Sequence, residues 1–419
     1  MATGMKTRVE TMLKKAEFAV DDEVKEIGKS VESVVKNIAG TISNYDPLFS
    51  NVLVPCGSFY ENLKVEQPDE FDYMVCLNQL SKTGVCMAQE NPDQPVPDPG
   101  YLQVKLIDEE TAVKWRKYIS EKKILRSEAL LERFNELVKR AYNEVTLPKM
   151  LSRKILKNVE LRKIPVTFHL VWNGTNYKRL DISVDLTLCI KFYGWPEDSD
   201  FHLRFQRSGD HPGYSMVSDV KKKGYHLVAS SICQSGKISP CWRVSFSVAE
   251  GILLRKIREN SPRDTDHGRV IKVLKMIRKE NEQELILVED GGGSVSYRLT
   301  WAFHSYVIKT MFFQEWADFP SDNFWTNDKL LERVRGILRR IRNSVREKNI
   351  RSFWMSEYKL FNFRARKANQ QGMEKCESKL DKIIEGLSDL SITRKVPRVK
   401  EEKSLALSDV FALLFKAEI

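Results

Sequence analysis

Three acidic residues lie in segments that are predicted β-strands, and their placement favours metal chemistry. Glu70 and Asp72 stand two residues apart at the start of an apolar run, so their carboxylates point to the same face of a strand. Asp185 lies in the middle of the apolar stretch ISVDLTL (182–188), where a carboxylate buried alone would be costly. A divalent cation bound by all three residues would remove both the repulsion and the burial cost. Ligation by oxygen alone suits Mg²⁺, with Mn²⁺ as an alternative, and does not suit zinc.

A glycine–serine pair precedes these acids and could contact phosphate. Gly57 and Ser58 follow a short apolar run, so they would form a turn that leaves a strand. Such a turn permits close approach of the backbone and supplies a hydroxyl donor for phosphate oxygens. With the three acids, the pair predicts a two-metal phosphoryl-transfer site, in which one ion activates a hydroxyl and the other stabilises leaving pyrophosphate. Each part alone is common, because Gly-Ser turns are frequent and Glu-x-Asp pairs usually mark a solvated strand face.

Hydrophobic periodicity predicts the elements that must position these residues. Residues 5–43 have apolar side chains at helical spacing, which predicts one long helix or two in tandem. Residues 110–145 and most of the chain from Ser247 onward also have helical periodicity, whereas the proline-rich residues 81–100 predict a surface excursion. Shorter apolar or alternating runs predict strands at 51–55, 71–77, 164–172 and 180–189. The order of these elements predicts an α+β fold with a mixed sheet backed by helices.

We expect three regions along the chain. Residues 1–200 would form a lobe with the mixed sheet and the long N-terminal helix, and residues 201–370 would form a helical lobe. Residues 371–419 turn more polar, and their stretch at 394–403 is typical of a linker. The last segment, Leu405 to Phe415, has apolar residues at helical spacing and predicts an amphipathic helix that docks on its own body or recruits a partner.

Composition narrows the class of protein. Of 419 residues, 42 % are hydrophobic, which excludes wholesale disorder. No run approaches the roughly 18 apolar residues of a membrane span, and the first twenty residues are charged throughout, unlike a signal peptide. The seven cysteines are scattered, which favours reduced thiols over a disulfide framework. We therefore expect a cytoplasmic protein without a membrane span.

The excess of basic residues is concentrated in one predicted helix. The chain has a net charge of +11, and residues 329–351 contain nine basic and two acidic side chains, a local net of +7. On a helix, one face of this segment is apolar and a row of arginines lies on its flank: Arg335, Arg339, Arg342 and Arg346. This arginine stripe is either a solvated helix face or a surface that contacts nucleic-acid phosphates.

Four separated segments resemble one family. They are GSFYENLKVEQPDEFDYMVCL (57–77), ISVDLTL (182–188), WRVSFSVAE (242–250) and FHSYVIKTMFF (303–313). Together they resemble the cyclic GMP-AMP synthase-like receptors of the Mab nucleotidyltransferase superfamily, in order and over most of the chain. The resemblance implies a bilobed nucleotidyltransferase fold, with a long spine helix in the first lobe and a helical second lobe.

The resemblance also implies a role for each residue of the predicted site. Gly57 and Ser58 would hold the triphosphate, while Glu70, Asp72 and Asp185 would bind two Mg²⁺ ions. Asp185 would also activate the attacking ribose hydroxyl.

Further residues would contact the nucleotides. These are two base-edge readers, two other pocket residues, a phosphate-contacting lysine and a base-stacking tyrosine: Arg243 and Ser245, Ser247 and Glu250, Lys275, and Tyr306. Without the resemblance, Arg243 would be an ordinary surface strand residue and Tyr306 a core tyrosine at helical spacing.

One departure from the vertebrate family members bears on the activator. Their zinc-binding insertion would fall at about 251–269, where this chain has His267 and no cysteine. Tetrahedral zinc sites need about four nitrogen or sulfur ligands, so we expect no zinc and a loop position for His267. Because that insertion grips DNA in the vertebrate enzymes, its loss favours double-stranded RNA over DNA as activator.

These expectations combine into one functional prediction. The chain would be a sensor that, when a nucleic-acid duplex binds, joins ATP and/or GTP into a cyclic dinucleotide messenger of innate immunity and releases pyrophosphate. It could dimerise on its ligand. The alternatives are a catalytically silent scaffold and a synthase of linear oligonucleotides.

Overall fold

The computed structural model divides the chain into two compact units. It describes residues 11–12, 14–16, 20–92, 100–154, 166–205, 211–232, 238–262, 265, 267–281, 303–361 and 370–388. The first unit, here the sheet unit, comprises Ala19–Pro196 and Val220–Ile252. The second, here the helical unit, comprises Glu197–Asp219 and the described residues from Leu253 onward. The predicted linker at 394–403 and the predicted amphipathic segment at 405–415 lie outside the described residues.

The long N-terminal helix of the sheet unit begins at a cap that the sequence supplies. Helix α1 spans Asp22–Tyr45, and the Asp21 carboxylate accepts a hydrogen bond from the Val24 amide at 2.8 Å. Because Asp21 has extended backbone, α1 cannot continue the helical turn at 14–16. Two successive helical segments, one of the two predicted arrangements, therefore occupy this region. The buried face of α1 follows the predicted helical spacing: Val24, Ile27, Val31, Val34, Val35, Ile38 and Ile42.

The core of the sheet unit is one mixed sheet. Its strands are β1 (Asn51–Cys56), β2 (Glu70–Leu77), β3 (Cys86–Gln89), β4 (Tyr101–Leu106), β5 (Leu151–Arg153), β6 (Val166–Asn173), β7 (Lys178–Phe192), β8 (Tyr225–Ile232) and β9 (Ile238–Ser245). They lie in the order β1-β2-β7-β8-β9-β4-β3, and β6 pairs with both β5 and β7. Strands β6 and β8 are both antiparallel to β7 and pair with the same edge of it. Strand β6 pairs along 178–186, and β8 pairs along 189–192. The other edge of β7 is left for β2.

The helices of the sheet unit include a short turn of helix at the end of β1. They are α2 (Gly57–Tyr60), α3 (Glu109–Lys114) and α4 (Ser127–Glu144), so the predicted helical region 110–145 is interrupted between α3 and α4. The predicted strands at 51–55, 71–77, 164–172 and 180–189 correspond to β1, β2, β6 and β7. Strand β3 lies inside the predicted surface excursion at 81–100, which is thus partly wrong. The sequence analysis did not predict strands β8 and β9.

The helical unit is built on α7 (His267–Glu280), α8 (Ser305–Asp318), α9 (Leu330–Arg346) and α10 (Gln370–Ser388), with a small hairpin of β10 (Ile350–Arg351) and β11 (Lys359–Phe361). The chain crosses between the units within two further helices, α5 (Pro212–Lys222) and α6 (Ser247–Asn260). Helix α10 ends at Ser388, before the stretch at 394–403 that is predicted as a linker. His267 opens α7 and is buried against the Trp325 ring, so its predicted loop position is wrong.

A buried ion network joins α8 to α9. Glu315 is 2 % exposed and accepts hydrogen bonds from Arg333, at 3.0 Å, and from Arg340. Arg333 is itself buried and stacks on the Phe319 ring at 4.0 Å. Each charge is compensated inside the helix pair, which is the condition for burying it at all.

The predicted α+β class is confirmed, with a large mixed sheet in one unit and helices dominating the other. Within the described ranges, no helix is both long enough and apolar enough to cross a membrane.

Candidate active site

The parallel register of β2 and β7 brings the three predicted acids together. Asp72 lies directly beside Asp185, and Glu70 lies beside Ser183. Ligand oxygens of Glu70, Asp72 and Asp185 all lie within 4.8 Å of one another. Since Asp72 and Asp185 are 113 residues apart in sequence, only the pairing of β2 with β7 creates the cluster.

The surroundings of the cluster disfavour three uncompensated charges. Burial, followed by repulsion from Glu70 and Asp185, raises the pKa of Asp72 to about 7. Burial also raises the pKa of Asp185, although a 2.6 Å hydrogen bond from the Thr167 hydroxyl opposes the effect. Glu70, with a side chain 51 % exposed, lies at the open side of the cluster. A cation between the three groups would reverse these shifts, because it favours the ionised form of each carboxylate.

The donor set fits a hard divalent ion. All three ligands are carboxylate oxygens, two are partly buried and one reaches solvent, so phosphate and water oxygens could complete the coordination. Mg²⁺ prefers this arrangement, in which one or two carboxylates and substrate phosphates share the ion. The residues present therefore fit the metal that the sequence predicts.

Gly57 allows the backbone to approach the cluster. It has φ +79°, in the left-handed region, and a Cβ at this position would overlap the Asp72 carboxylate. Cys56, the preceding residue, is the register partner of Asp72 across β1 and β2. Both the conformation and the space thus require glycine, as the predicted close approach implied.

Helix α2 holds Ser58 beside Gly57. Phe59 is buried and packs on Phe71 with ring centroids 4.4 Å apart, which anchors the turn to β2. Ser58 is half-buried, and its carbonyl accepts a hydrogen bond from the Leu63 amide at 2.8 Å. The backbone of Ser58 is thereby held directly after the end of β1, next to Gly57.

Two residues of this site were missed by the sequence prediction. Lys64 is 8 % exposed and forms ion pairs with Asp69 at 2.7 Å and Glu70 at 3.2 Å. Thr167 lies opposite Asp185 on β6 and donates the hydrogen bond noted above. Neither has a motif around it. The alternation of β6 could have indicated which of its residues share the face of Thr167, but not which acid they face.

Four predicted nucleotide-binding residues lie near the end of β9 and the start of α6. Arg243 is exposed on β9, and Ser245 and Ser247 lie close, with their hydroxyl oxygens 3.0 Å apart. Glu250 is 2 % exposed. In the sheet, β7 and β8 separate β9 from β2, so these four residues and the acids come from different strands of the same unit.

The other two predicted nucleotide-binding residues belong to the helical unit. Lys275 is half-buried on α7. Tyr306 is the second residue of α8, where its amide donates to His304 Nδ1 at 3.2 Å, and it is only half-buried. The side chain of Lys309 lies 6.0 Å from its ring centre. Tyr306 is therefore not a core tyrosine.

The arginine stripe is formed on α9, and part of it is ion-paired. Arg342 bonds to Asp381 at 2.6 Å, and Arg346 bonds to Glu377, both acids lying on α10. Arg339 is exposed and Arg335 is half-buried, and within the described ranges no ion pair to an acid is found for either. The acids of α10 thus compensate one half of the stripe.

A mixed sheet that holds three carboxylates on neighbouring strands, beside a Gly-Ser turn, matches the class of nucleotidyltransferases. Comparison with protein families agrees with this class. The Mab-21 protein nucleotidyltransferase domain matches residues 59–256, and the Mab-21 protein HhH/H2TH-like domain matches residues 268–381. The chain belongs to the Mab-21 family of nucleotidyltransferases.

Individual relatives are distant. The chain is 21 % identical to cyclic GMP-AMP synthase of Mus musculus over 81 % of its own length and 62 % of that protein. It is 20 % identical to a cyclic GMP-AMP synthase-like receptor of Microplitis demolitor, over 92 % of the chain and 66 % of that protein. Protein mab-21-like of Drosophila pseudoobscura pseudoobscura is 22 % identical, over 84 % and 86 % respectively. The chain thus spans less than two thirds of the length of the first two.

Proposed function

We propose that this protein is a metal-dependent nucleotidyltransferase that joins ATP and/or GTP into a cyclic dinucleotide and releases pyrophosphate. The observation that carries the proposal is the register pair Asp72–Asp185, which with Glu70 forms an oxygen-only metal site against the backbone of Gly57. Two relatives bear names of cyclic GMP-AMP synthases or their receptor-like homologues, which supports this product class.

In this proposal the protein's own residues position the reacting groups. Gly57 lets the triphosphate approach the backbone, and the Ser58 hydroxyl donates to a phosphate oxygen. Glu70, Asp72 and Asp185 would hold two Mg²⁺ ions, which supply charge neutralisation at the phosphates when bound. Asp185 would accept the hydroxyl proton, and the 2.6 Å hydrogen bond from the Thr167 hydroxyl fixes the orientation of its carboxylate.

The bonds made and broken follow from phosphoryl transfer. A ribose hydroxyl oxygen attacks the α-phosphorus of a second nucleotide, the bond from that phosphorus to the bridging oxygen breaks, and pyrophosphate leaves. The hydroxyl proton passes to Asp185. Repetition of the step within the linear dinucleotide closes the ring. Positioning and charge neutralisation would supply most of the acceleration.

We propose for six further residues the nucleotide contacts that the family resemblance implies. Arg243 and Ser245 would read base edges, and Ser247 and Glu250 would make further contacts to the nucleotide. Lys275 would contact phosphate and Tyr306 would stack on a base, as its half-buried ring permits. We propose double-stranded RNA as the activator, bound in the cytoplasm by the arginine stripe and chiefly by its members Arg335 and Arg339, with dimerisation on the ligand.

The test is a product screen. Purified protein would be incubated with Mg²⁺, ATP and GTP, singly and together, in the presence of duplex RNA, duplex DNA or no nucleic acid, and the products identified by mass. The proposal predicts a cyclic dinucleotide that resists phosphatase and appears with duplex RNA above all. A linear product would support the oligonucleotide synthase instead. If no product forms under any condition, the result would support the silent scaffold.

A further inference from the structure

A second group of metal-binding residue types lies on the same two strands as the acids. Cys76 follows Asp72 by four residues on β2, and Cys189 follows Asp185 by four residues on β7. The parallel register therefore pairs Cys76 with Cys189, as it pairs the two aspartates. Four residues of strand place the cysteines about 13 Å further along the same face.

A histidine of the next strand completes the group. Cys189 faces Val228 across β7 and β8, and His226 lies two residues from Val228, so its side chain is on the same face. The two sulfur atoms and one ring nitrogen of His226 all lie within 4.8 Å of one another. Three strands of the sheet thus contribute one ligand each.

The three side chains are buried, and the histidine lacks part of its expected bonding. Cys76, Cys189 and His226 are 5 %, 0 % and 2 % exposed. Cys189 and His226 both hydrogen-bond to the Cys76 sulfur, but the buried His226 Nδ1 has no hydrogen-bond partner in the described part of the chain. His226 Nε2 is therefore the ring nitrogen that faces the sulfur atoms, and it is the candidate ligand.

We propose that Cys76, Cys189 and His226 bind a Zn²⁺ ion. The two thiolates cancel the +2 charge of the ion, and the imidazole is neutral. The complex would therefore be neutral, and no net charge would be buried with it. Tetrahedral bonds of about 2.0–2.3 Å require ligand atoms roughly 3.3–3.8 Å apart. The ligand atoms of this group already lie within 4.8 Å of one another without an ion. The Ser81 hydroxyl, 3.3 Å from the Cys76 sulfur, offers an oxygen beside the fourth position.

The surroundings suit a closed structural site. Apolar side chains of β1, β2, β8 and α6 pack around the cysteines: Val54, Met74, Val228 and Val248. Such a shell keeps water and competing ligands away from the ion. Bound there, zinc would tie β8 to the two strands that carry the acids, and it would stabilise the sheet without taking part in the transfer reaction.

The site departs from the sequence prediction of no zinc, which concerned the segment 251–269. Its ligands are 113 and 37 residues apart (189 − 76 and 226 − 189), so no spacing motif links them. Each cysteine follows an aspartate by four residues in the sequence, but only the parallel pairing of β2 with β7 brings the two cysteines together.

The test measures metal content and needs no catalytic activity. Protein produced in zinc-supplemented medium and purified without chelator should contain about one zinc per chain by elemental analysis. The Cys76→Ser/Cys189→Ser double variant should fall below a tenth of that value. Cys241→Ser, which alters another buried thiol of the same sheet, and Asp72→Asn, which alters the acid cluster, should both keep the zinc.

A second measurement keeps the proposal testable if the double variant fails to fold. Reduced wild-type protein freed of zinc should bind one Co²⁺ with the near-ultraviolet absorption of a thiolate–cobalt bond, and zinc should displace it. Three results would overturn the proposal: no such absorption, zinc retained by the folded double variant, or a Cys76–Cys189 disulfide in freshly purified protein.

Discussion

At the residue scale, the site depends on positions whose neighbours are fixed by the sheet. Gly57 offers a sharp case because Gly84 has the same φ of +79° but open space where a Cβ would be added. At Gly57 the added Cβ would overlap the Asp72 carboxylate. The two glycines therefore separate the effect of backbone strain from that of the close approach.

Gly57→Ala should lower nucleotidyl transfer by at least about tenfold, or about 1.4 kcal/mol, because Asp72 must move. Gly84→Ala should cost about 1 kcal/mol of stability from the backbone strain and leave the rate unchanged. Turnover measured beside urea unfolding distinguishes these effects. Equal rates for the two variants would show that the approach of Gly57 to Asp72 is unimportant.

His267 gives a second prediction at this scale. Burial lowers its pKa to about 4, while its unfolded value is near 6.5. The unfolded chain thus binds the proton first as the pH falls. The contribution of His267 to the free energy of unfolding is complete above pH 6.5. It is lost progressively as the pH falls to about 4, by up to about 3 kcal/mol.

His267→Gln should flatten this dependence when urea unfolding is compared between pH 7 and pH 4.5. Part of the slope should remain, because burial also lowers the pKa of His211. A variant with the full wild-type slope would show that His267 is not the group that titrates.

Local patterns account for the acids but not for their partners. Glu70, Asp72 and Asp185 could be predicted because strand alternation and apolar neighbours made their charge conspicuous. Lys64, Thr167 and the residues around Cys76 could not, because their roles follow from contacts between strands far apart in sequence.

At the element scale, the pairing of β2 with β7 is the step that builds the site, and it joins segments that the sequence predicts only as separate strands. Short β3 was hidden by proline-rich surroundings, and the uninterrupted helical spacing of 110–145 concealed the break before Ser127. Helix α9, by contrast, matches its prediction closely, because its apolar face and arginine stripe are both local patterns.

The pairing of α8 with α9 can be tested through its buried ion network. Glu315→Gln removes the buried charged partner of Arg333, which keeps only the partly exposed Glu332, and should cost about 3–5 kcal/mol in the free energy of unfolding. Asp318→Asn removes a half-exposed partner of the neighbouring Arg340 and should cost less than about 1 kcal/mol. Urea unfolding of both variants measures the difference. Equal costs would show that burial does not govern this network.

At the scale of the whole molecule, the charge of +11 has two separate consequences. The positive excess is concentrated on α9, and the acids of the sheet unit form a cluster suited to cations. The pairing of Arg342 and Arg346 with α10 was not predictable, because the acids concerned are more than 30 residues away. Among the residues that the structure describes, it divides the arginine stripe into one half that is paired with acids and one half that is not.

This division predicts a difference in nucleic-acid binding. Arg335→Ala/Arg339→Ala should weaken duplex RNA binding and reduce the slope of log K against log salt by about 2, since two phosphate contacts are lost. Arg342→Ala/Arg346→Ala should reduce it less, because these side chains are already paired with acids. Fluorescence anisotropy between about 50 and 200 mM salt gives both slopes. Unchanged binding in both variants would mean that the stripe is a solvated helix face.

The central claim is that the carboxylates on β2 and β7 perform metal-dependent nucleotidyl transfer. Its most direct test compares Asp72→Asn with the control Asp181→Asn. Asp181 lies on the same face of β7 as Asp185, and it is paired with Lys154 at 2.6 Å. The measured quantity is pyrophosphate release from ATP and GTP with Mg²⁺, under the activating condition found in the product screen. We predict that Asp72→Asn loses at least about a hundredfold in rate, or about 3 kcal/mol, while Asp181→Asn stays within about twofold of wild type. Equal rates for wild type and a folded Asp72→Asn variant would contradict the claim.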